Sequence, residues 1–520
     1  MKKYFNTTGI CVARKHYMVD IENKLIKIEN LINKEKYFTI NRPRQFGKTT
    51  TINLIEQKLE DIYLIISLSF EGIGDAVFNN EKSFSKMFIE LMADNIEFYS
   101  QDDAYKLRNL GEDVENLGDL SKTITKYIKD LHREVVLIID EVDKSSNNQL
   151  FVSFLGMLRN KYLLRDKGKD YTFKSVILVG VHDVKTLKIK LREDDEKKYN
   201  SPWNIAVTFN VDMSFNPLEI ETMLVEYSID NNLKMDTKVL ADKLYYYTSG
   251  YPFLVSRLCQ IIDEDLLEGN RIPWNVELID LSLKQLLKES NTLFDDLFKN
   301  IENNDELREY IFDIVFNGSI KVFNKHNSLI SLGHLYGILK DDNGIVKVSN
   351  KVFEQIIYNY FSSNLENSRT DVQKYNFREN FLLANGGLDI AKVLLRFQQF
   401  MKEQFSSKDI KFLENNGRTL FLAFLKPIIN GIGFDFKEVQ ISEEKRLDIV
   451  VTYNNFKYII ELKVWRGDSY HEKGIEQLCD YLNIHSMNQG YLIVFNFNTN
   501  KEYKEENIKI KSKDIFCVYV

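Results

Sequence analysis

The sequence predicts a multidomain α/β protein, with a parallel-sheet domain first, helical segments in the middle and a second, smaller α/β domain last. Three observations predict it. Apolar runs of strand length alternate with helical stretches from Tyr37 to about Phe209, the mark of a parallel sheet with crossover helices. A helix-rich stretch follows to about Ser363. Lys445–Val451 and Phe456–Val464 then read as two strands joined by the turn Thr452–Asn455, with helical stretches on either side.

Length and composition agree. At 520 residues the chain exceeds one core and suggests roughly three or four domains. An apolar fraction of 44% beside 28% charged residues is that of a globular protein, and no segment has the apolar length to cross a bilayer. The opening MKKYFNTTG lacks an apolar signal core. Cys11, Cys259, Cys479 and Cys517 lie far apart without metal-like spacing, so a reducing cytoplasm is expected rather than a disulfide framework or zinc site. A net charge of −7 leaves nucleic-acid contact to local basic surface.

The strands of the first domain are expected at Tyr37–Ile40, Tyr63–Phe70, Val135–Asp140, Ser175–Val181 and Ile205–Phe209. The first runs into Arg42-Pro-Arg-Gln-Phe-Gly47-Lys48-Thr49-Thr50 and then a helix, a phosphate-binding loop in which Gly47 exposes backbone N–H groups, Lys48 reaches terminal phosphates and Thr49 offers a hydroxyl to a metal. Arg42 stands where the usual pattern has its first glycine. The third strand ends in Asp140-Glu141, a Walker B arrangement: Asp140 holds a magnesium ion and Glu141 orients and deprotonates the attacking water. At the end of the fourth strand, His182 and Asp183 are candidates for sensing the γ-phosphate.

The phrases HYMVD and INRPRQFGKTTTIN resemble bacterial AAA-like ATP-binding proteins, in which Arg-Pro-Arg-x-(Phe/Tyr)-Gly-Lys-(Thr/Ser) is usual. Arg42 and Arg44 are then family features. Ser249-Gly250-Tyr251-Pro252 resembles the Gly-x-Pro motif of the STAND branch, which implies that Pro252, at the first turn of its helix, reaches over bound ATP from a helical lid. The expected P-loop NTPase core covers 1–215 and the lid 216–272. Residues 273–363 read as a winged-helix domain: short helices, the hairpin around Asp341-Asp342-Asn343-Gly344, and a helix with Val352, Phe353, Ile356, Ile357 and Tyr360 on one face. Residues 364–400 form a polar linker followed by a helix.

Residues 401–520 carry a second chemistry. Glu461 and Lys463 are two apart on one strand and share a face, and hairpin pairing brings Asp448 beside them. Two carboxylates and a lysine converging on an apolar hairpin suit a divalent metal held by Asp448, Glu461 and the Leu462 carbonyl, with Lys463 steadying the phosphate. This is the D…ExK pattern of the PD-(D/E)XK nuclease superfamily. The phrase IIELKVWRGDSYHEKGIEQLCDYL resembles the nuclease-like, restriction-endonuclease-like tail fused to AAA-like ATPases, and Gln477 matches the glutamine often near the metal. The expected order is a helix at Arg418–Asn430, three strands, a helix at Gly474–Leu482 and a strand at Tyr491–Phe495. Glu414 and Glu438 are both candidates for a further carboxylate. His471 and the tail lysines Lys501, Lys504, Lys509, Lys511 and Lys513 read as solvated.

The resemblance implies an ATP- and Mg2+-dependent protein whose ATPase governs a nuclease acting on DNA, in bacterial defence against foreign DNA. It also implies a homo-oligomer and a protein trigger. The alternative is a regulatory ATPase whose nuclease-like domain only binds nucleic acid or a protein.

Overall fold

The structure is a computed structural model describing residues 3–142, 148–180, 202–315, 321–368, 381–404, 417, 420–422, 424–425, 428, 433–438, 448–453, 456–485, 487–498, 501–510 and 512–520. His182, Asp183 and Glu414 lie outside the described residues. The chain divides into two compact units, residues 1–295 with 332–338, and 296–331 with 339–520.

The first unit is built on a four-stranded sheet of β1 (Phe38–Asn41), β2 (Leu64–Ser69), β3 (Val135–Asp140) and β4 (Ser175–Gly180) in the order β1-β4-β3-β2. Every pairing is parallel. β3 and β4 are almost wholly buried, as a strand covered on both faces must be. Helices Glu81–Glu97, Leu117–Lys129 and Gln149–Arg165 supply Phe84, Phe88, Leu120, Phe154 and Leu158 to one continuous core with Leu137, Ile139 and Leu178. The fifth strand expected at Ile205–Phe209 is reduced to a single bridge, Phe38 to Val207. A turn at Pro202–Ile205 buries Trp203, whose indole N–H donates to Thr39 Oγ1 at 3.0 Å, so the chain meets the sheet edge at one point and then leaves it.

Helices Pro217–Asp230, Thr237–Thr248 and Pro252–Gln260 follow, the first closed by a capping box between Asn216 and Glu219 with a proline at its first turn. Gly250 joins the last two at φ +72, and an added Cβ would lie 1.8 Å from the Phe215 carbonyl oxygen, so only glycine fits.

The second unit contains the hairpin β5 (Leu339–Asp342) and β6 (Ile345–Val348) and the helix Lys351–Ser368. Its main sheet has six strands in the order β11-β12-β10-β9-β8-β7: β7 (Gly433–Glu438), β8 (Asp448–Tyr453), β9 (Phe456–Val464), β10 (Gln489–Phe495), β11 (Glu505–Ile510) and β12 (Lys513–Tyr519). β7, β8 and β9 run antiparallel, while β9, β10 and β12 are parallel. The helix Asp468–Ile484 crosses from β9 to β10 and packs Ile475, Leu478, Cys479 and Leu482 onto the sheet. Of the helix expected at Arg418–Asn430, the described residues Leu420, Phe421, Leu422, Phe424, Leu425 and Ile428 are helical and buried. The tail is not simply a solvated face, because β11 and β12 complete the sheet. Lys513 is buried and donates to the Met487 carbonyl at 2.6 Å.

Candidate functional site

In the first unit the parallel strands end along one edge, where connecting loops gather. β1 opens there into the phosphate loop and β3 delivers Asp140. Gly47 adopts φ +75 and caps the helix Lys48–Leu59, whose first N–H groups face outward as an anion site. Lys48 Nζ donates to the carbonyls of Arg42 and Pro43, both at 3.0 Å, and so lies folded over the loop. The Thr49 hydroxyl stands 3.3 Å from Asp140 Oδ2, while Asp140 Oδ1 accepts the Glu141 N–H at 2.8 Å. Glu141 holds a left-handed backbone, φ +55, a conformation that costs energy in a non-glycine residue.

Tyr251 and Pro252 come to this loop. Pro252 opens its helix, and its Cβ lies 3.9 Å from where a Gly47 Cβ would be. The Tyr251 hydroxyl donates to the Arg44 carbonyl at 2.6 Å, and its ring meets Phe46 edge-on at 4.7 Å. Beside the loop a cavity of about 350 Å³ is lined by Gly9, Cys11, Thr50, Leu54, Met213 and Phe253 among others. The Cys11 N–H donates to Thr50 Oγ1 at 3.1 Å, which ties the N-terminal segment to the loop.

Arg42 does not extend over the loop. Its guanidinium donates to the carbonyls of Asn41 at 2.7 Å and Val211 at 2.5 Å and lies over the Phe209 ring. Burial pushes it below the usual arginine range, with Asp212 opposing. Sequence reasoning missed Glu56 as well, on the helix following the loop. Burial lifts its carboxyl above the usual carboxylate range; a hydrogen bond from Ser67 opposes this and the Asp140 charge adds to it.

In the second unit the register assembles the other site. Glu438 is directly opposite Asp448 across β7 and β8. Ile449 faces Ile460 across β8 and β9, and carrying that register one residue further sets Asp448 opposite Glu461. Glu438, Asp448 and Glu461 thus occupy one row across three strands. Glu438 joins that row by register, while Glu414 lies outside the described residues.

Glu461 and Lys463 are among the few buried charged residues described. They form an ion pair at 3.0 Å with side-chain exposures of 2% and 7%, and Lys463 Nζ also points at Gln477 Oε1, 3.4 Å away. A buried carboxylate of this kind is retained at a cost unless it is paired and serves as a ligand. One residue on the same helix escaped sequence reasoning. At Gly474 an added Cβ would lie 3.1 Å from Lys463 Cε, so the bare helix backbone makes room for the lysine stem. One turn beyond Gln477, the Tyr481 hydroxyl is buried and has no hydrogen-bond partner among the described residues. A donor left open in that place suits a water or a ligand oxygen.

No helix among the described residues is long and apolar enough to cross a membrane. Residues 11–359 match the model of the AAA-like domain family, and residues 430–506 match that of the PD-(D/E)XK nuclease superfamily. Among curated proteins, an uncharacterised WD repeat-containing protein of Synechocystis is 23% identical over 175 residues, 34% of this chain; the chain spans 13% of that relative's length. Among solved structures, a Walker-type ATPase of Pyrococcus abyssi superposes with a TM-score of 0.46 at 12% identity, covering 68% of this chain and 99% of that one. The RuvB Holliday junction branch migration motor of Thermotoga maritima gives 0.32 at 13% identity over 65% and 94%. The Orc1 protein of Aeropyrum pernix in complex with DNA gives 0.31 at 11% over 67% and 94%.

Proposed function

The chain belongs to the AAA-like domain family, and from that premise we propose that it is an ATP-hydrolysing switch governing a metal-dependent nuclease that cleaves DNA. The row Glu438, Asp448 and Glu461, with Lys463 paired to Glu461 and aimed at Gln477, carries the nuclease reading. Adjacent carboxylates repel one another unless a cation lies among them, and one lysine balances only one charge.

Asp448, Glu461 and the Leu462 carbonyl would hold Mg2+, with Glu438 as the further acid. A bound magnesium ion supplies Lewis acidity and a water of lowered pKa. Lys463 would steady the charge that develops on the phosphate, Gln477 would fix the lysine, and Tyr481 would donate to a substrate or water oxygen.

In the first unit, Lys48 would exchange the loop carbonyls for the β- and γ-phosphates of ATP, and Thr49 and Asp140 would share the nucleotide's magnesium. Glu141 would orient the hydrolytic water. The cavity at Cys11 and Phe253 would take the nucleoside, with Pro252 closing over the loop from the lid. His182 and Asp183 would sense the γ-phosphate, while Arg42 and Arg44 would shape the loop. The lid, 216–272, and a winged helix, 273–363, would pass nucleotide state to the nuclease in a STAND-type switch that responds to a protein trigger, in defence against foreign DNA.

The deciding experiment incubates purified protein with plasmid and single-stranded DNA, with and without ATP and Mg2+. Cleavage that requires Mg2+ and changes with ATP supports the proposal. ATP turnover with DNA bound but uncut under every condition would replace it with a regulatory binding role.

A further inference from the structure

On the other side of the six-stranded sheet's parallel centre, β11 and β12 carry a polar cluster that the nuclease reading does not use. Glu506 and Cys517 are directly opposed across these antiparallel strands and share a face. His471, in the first turns of the helix Asp468–Ile484, comes to the same point. The His471 imidazole nitrogen, the Glu506 carboxylate oxygen and the Cys517 sulfur all lie within 4.8 Å of one another.

Three separate elements therefore aim three different donor types at one place. Tyr519, two residues past Cys517, puts its hydroxyl there too: it donates to Glu506 Oε1 and lies 3.0 Å from His471 Nε2. Lys504 is 3.9 Å from the other carboxylate oxygen, so Oε1 is the oxygen that serves the cluster.

We propose that His471, Glu506 and Cys517 form a site for a divalent transition-metal ion of the zinc class, with Tyr519 or a water as fourth ligand. Imidazole nitrogen and thiolate sulfur select borderline cations, whereas the Asp448 and Glu461 row offers only oxygen and selects magnesium. The charges also balance. A thiolate and a carboxylate carry two negative charges, which a divalent cation neutralises in a partly buried place.

The ligand atoms lie within 4.8 Å of one another, close enough for metal bonds of ~2.0–2.3 Å to be made with a small inward adjustment. On binding, the Cys517 thiol loses its proton to solvent and the sulfur takes the metal. His471 ligates through an unprotonated Nε2, with its ring proton on Nδ1. The Tyr519 hydroxyl, which now bridges Glu506 and His471, yields its central position to the cation. An occupied site would clip the edge strand β11 and the start of the helix bearing Gly474 and Gln477 to β12.

The test uses the full chain freed of metal with a chelator and titrated with Co2+ alone, then with Zn2+. A sulfur-to-cobalt charge-transfer band that saturates at one ion per chain and is bleached by Zn2+ is expected. Quenching of Trp465, whose ring lies 5.4 Å from that of His471, should accompany it. Cys517→Ser and His471→Asn should each abolish the band, while Glu461→Gln should keep it. His471 is the less buried of the two, so its variant serves if Cys517→Ser melts early. No band in the native chain, or a band that survives both variants and disappears with Glu461→Gln, overturns the proposal.

Discussion

Gly474→Ala separates packing from chemistry at the nuclease site. The new methyl would sit at ordinary contact, 3.6 Å, from Lys463 Cδ and Cγ but only 3.1 Å from its Cε, so the end of the lysine must give way by a few tenths of an ångström. Its 3.4 Å contact to Gln477 is already at the limit of a hydrogen bond and breaks first; the 3.0 Å pair with Glu461 lengthens next. Against this, replacing a mid-helix glycine by alanine stabilises a helix by ~1 kcal/mol, and strain in the lysine rotamer costs about the same. Stability should therefore hardly change. A 1 Å misplacement of a catalytic group can cost ~100-fold in rate, so a shift of a few tenths should slow cleavage roughly tenfold. Thermal melting and single-turnover DNA cleavage measure the two sides. In a Lys463→Ala background the methyl meets no lysine, so Gly474→Ala should then raise the melting temperature and leave the residual rate alone. Full cleavage by the single variant, or an equal loss of rate in both backgrounds, would refute a positioning role.

Other expectations follow from the same geometry. Glu141→Gln should bind ATP as the native chain does and lose turnover by two orders of magnitude or more, as read by nucleotide binding beside phosphate release; undiminished turnover would remove Glu141 from the mechanism. Glu461→Gln should eliminate cleavage while ATP hydrolysis persists, and isothermal titration should show the loss of one Mg2+; cleavage at the native rate would make the row structural. Tyr481→Phe removes a buried hydroxyl that has no hydrogen-bond partner among the described residues, so the fold should hold or gain ~1 kcal/mol while cleavage falls; unchanged cleavage would assign the hydroxyl to packing alone. Glu56 has a folded pKa raised by burial, so the native state holds its proton more tightly than the unfolded chain. Stability from this group is present at low pH and declines as pH rises from its unfolded pKa through its raised folded one. Glu56→Gln should flatten that decline in pH-dependent melting, and an identical profile would contradict the assignment.

Much of this was legible because the signals are local. A strand buried on both faces must be apolar throughout, and β3 is, so Val135–Asp140 matches its expected bounds residue for residue. The phosphate loop needs a left-handed glycine before a helix, which Gly47 provides. The fifth strand failed because Ile205–Phe209 has strand-like composition but follows a turn anchored by Trp203, and a buried indole outweighs propensity. β11 and β12 were missed for another reason. β11 is an edge strand with alternating exposure, so its lysines and glutamates look like a solvated segment until the partner strand is known.

The sites divide in the same way. Glu461 and Lys463 could be named together because residues two apart on a strand share a face, and Asp448 because the hairpin turn pairs its strand with theirs. Placing Glu438 beside Asp448 needed inter-strand register, which no single strand encodes. Gly474 looked like an indifferent helix residue, since its role is the absence of a side chain opposite Lys463. Arg42 shows the reverse case. A motif reading assigns an arginine in the phosphate loop to the nucleotide, yet its guanidinium grips the carbonyls of Asn41 and Val211 and covers Phe209. The residue that replaces the expected glycine fastens the loop to the segment that leads to the helix Pro217–Asp230.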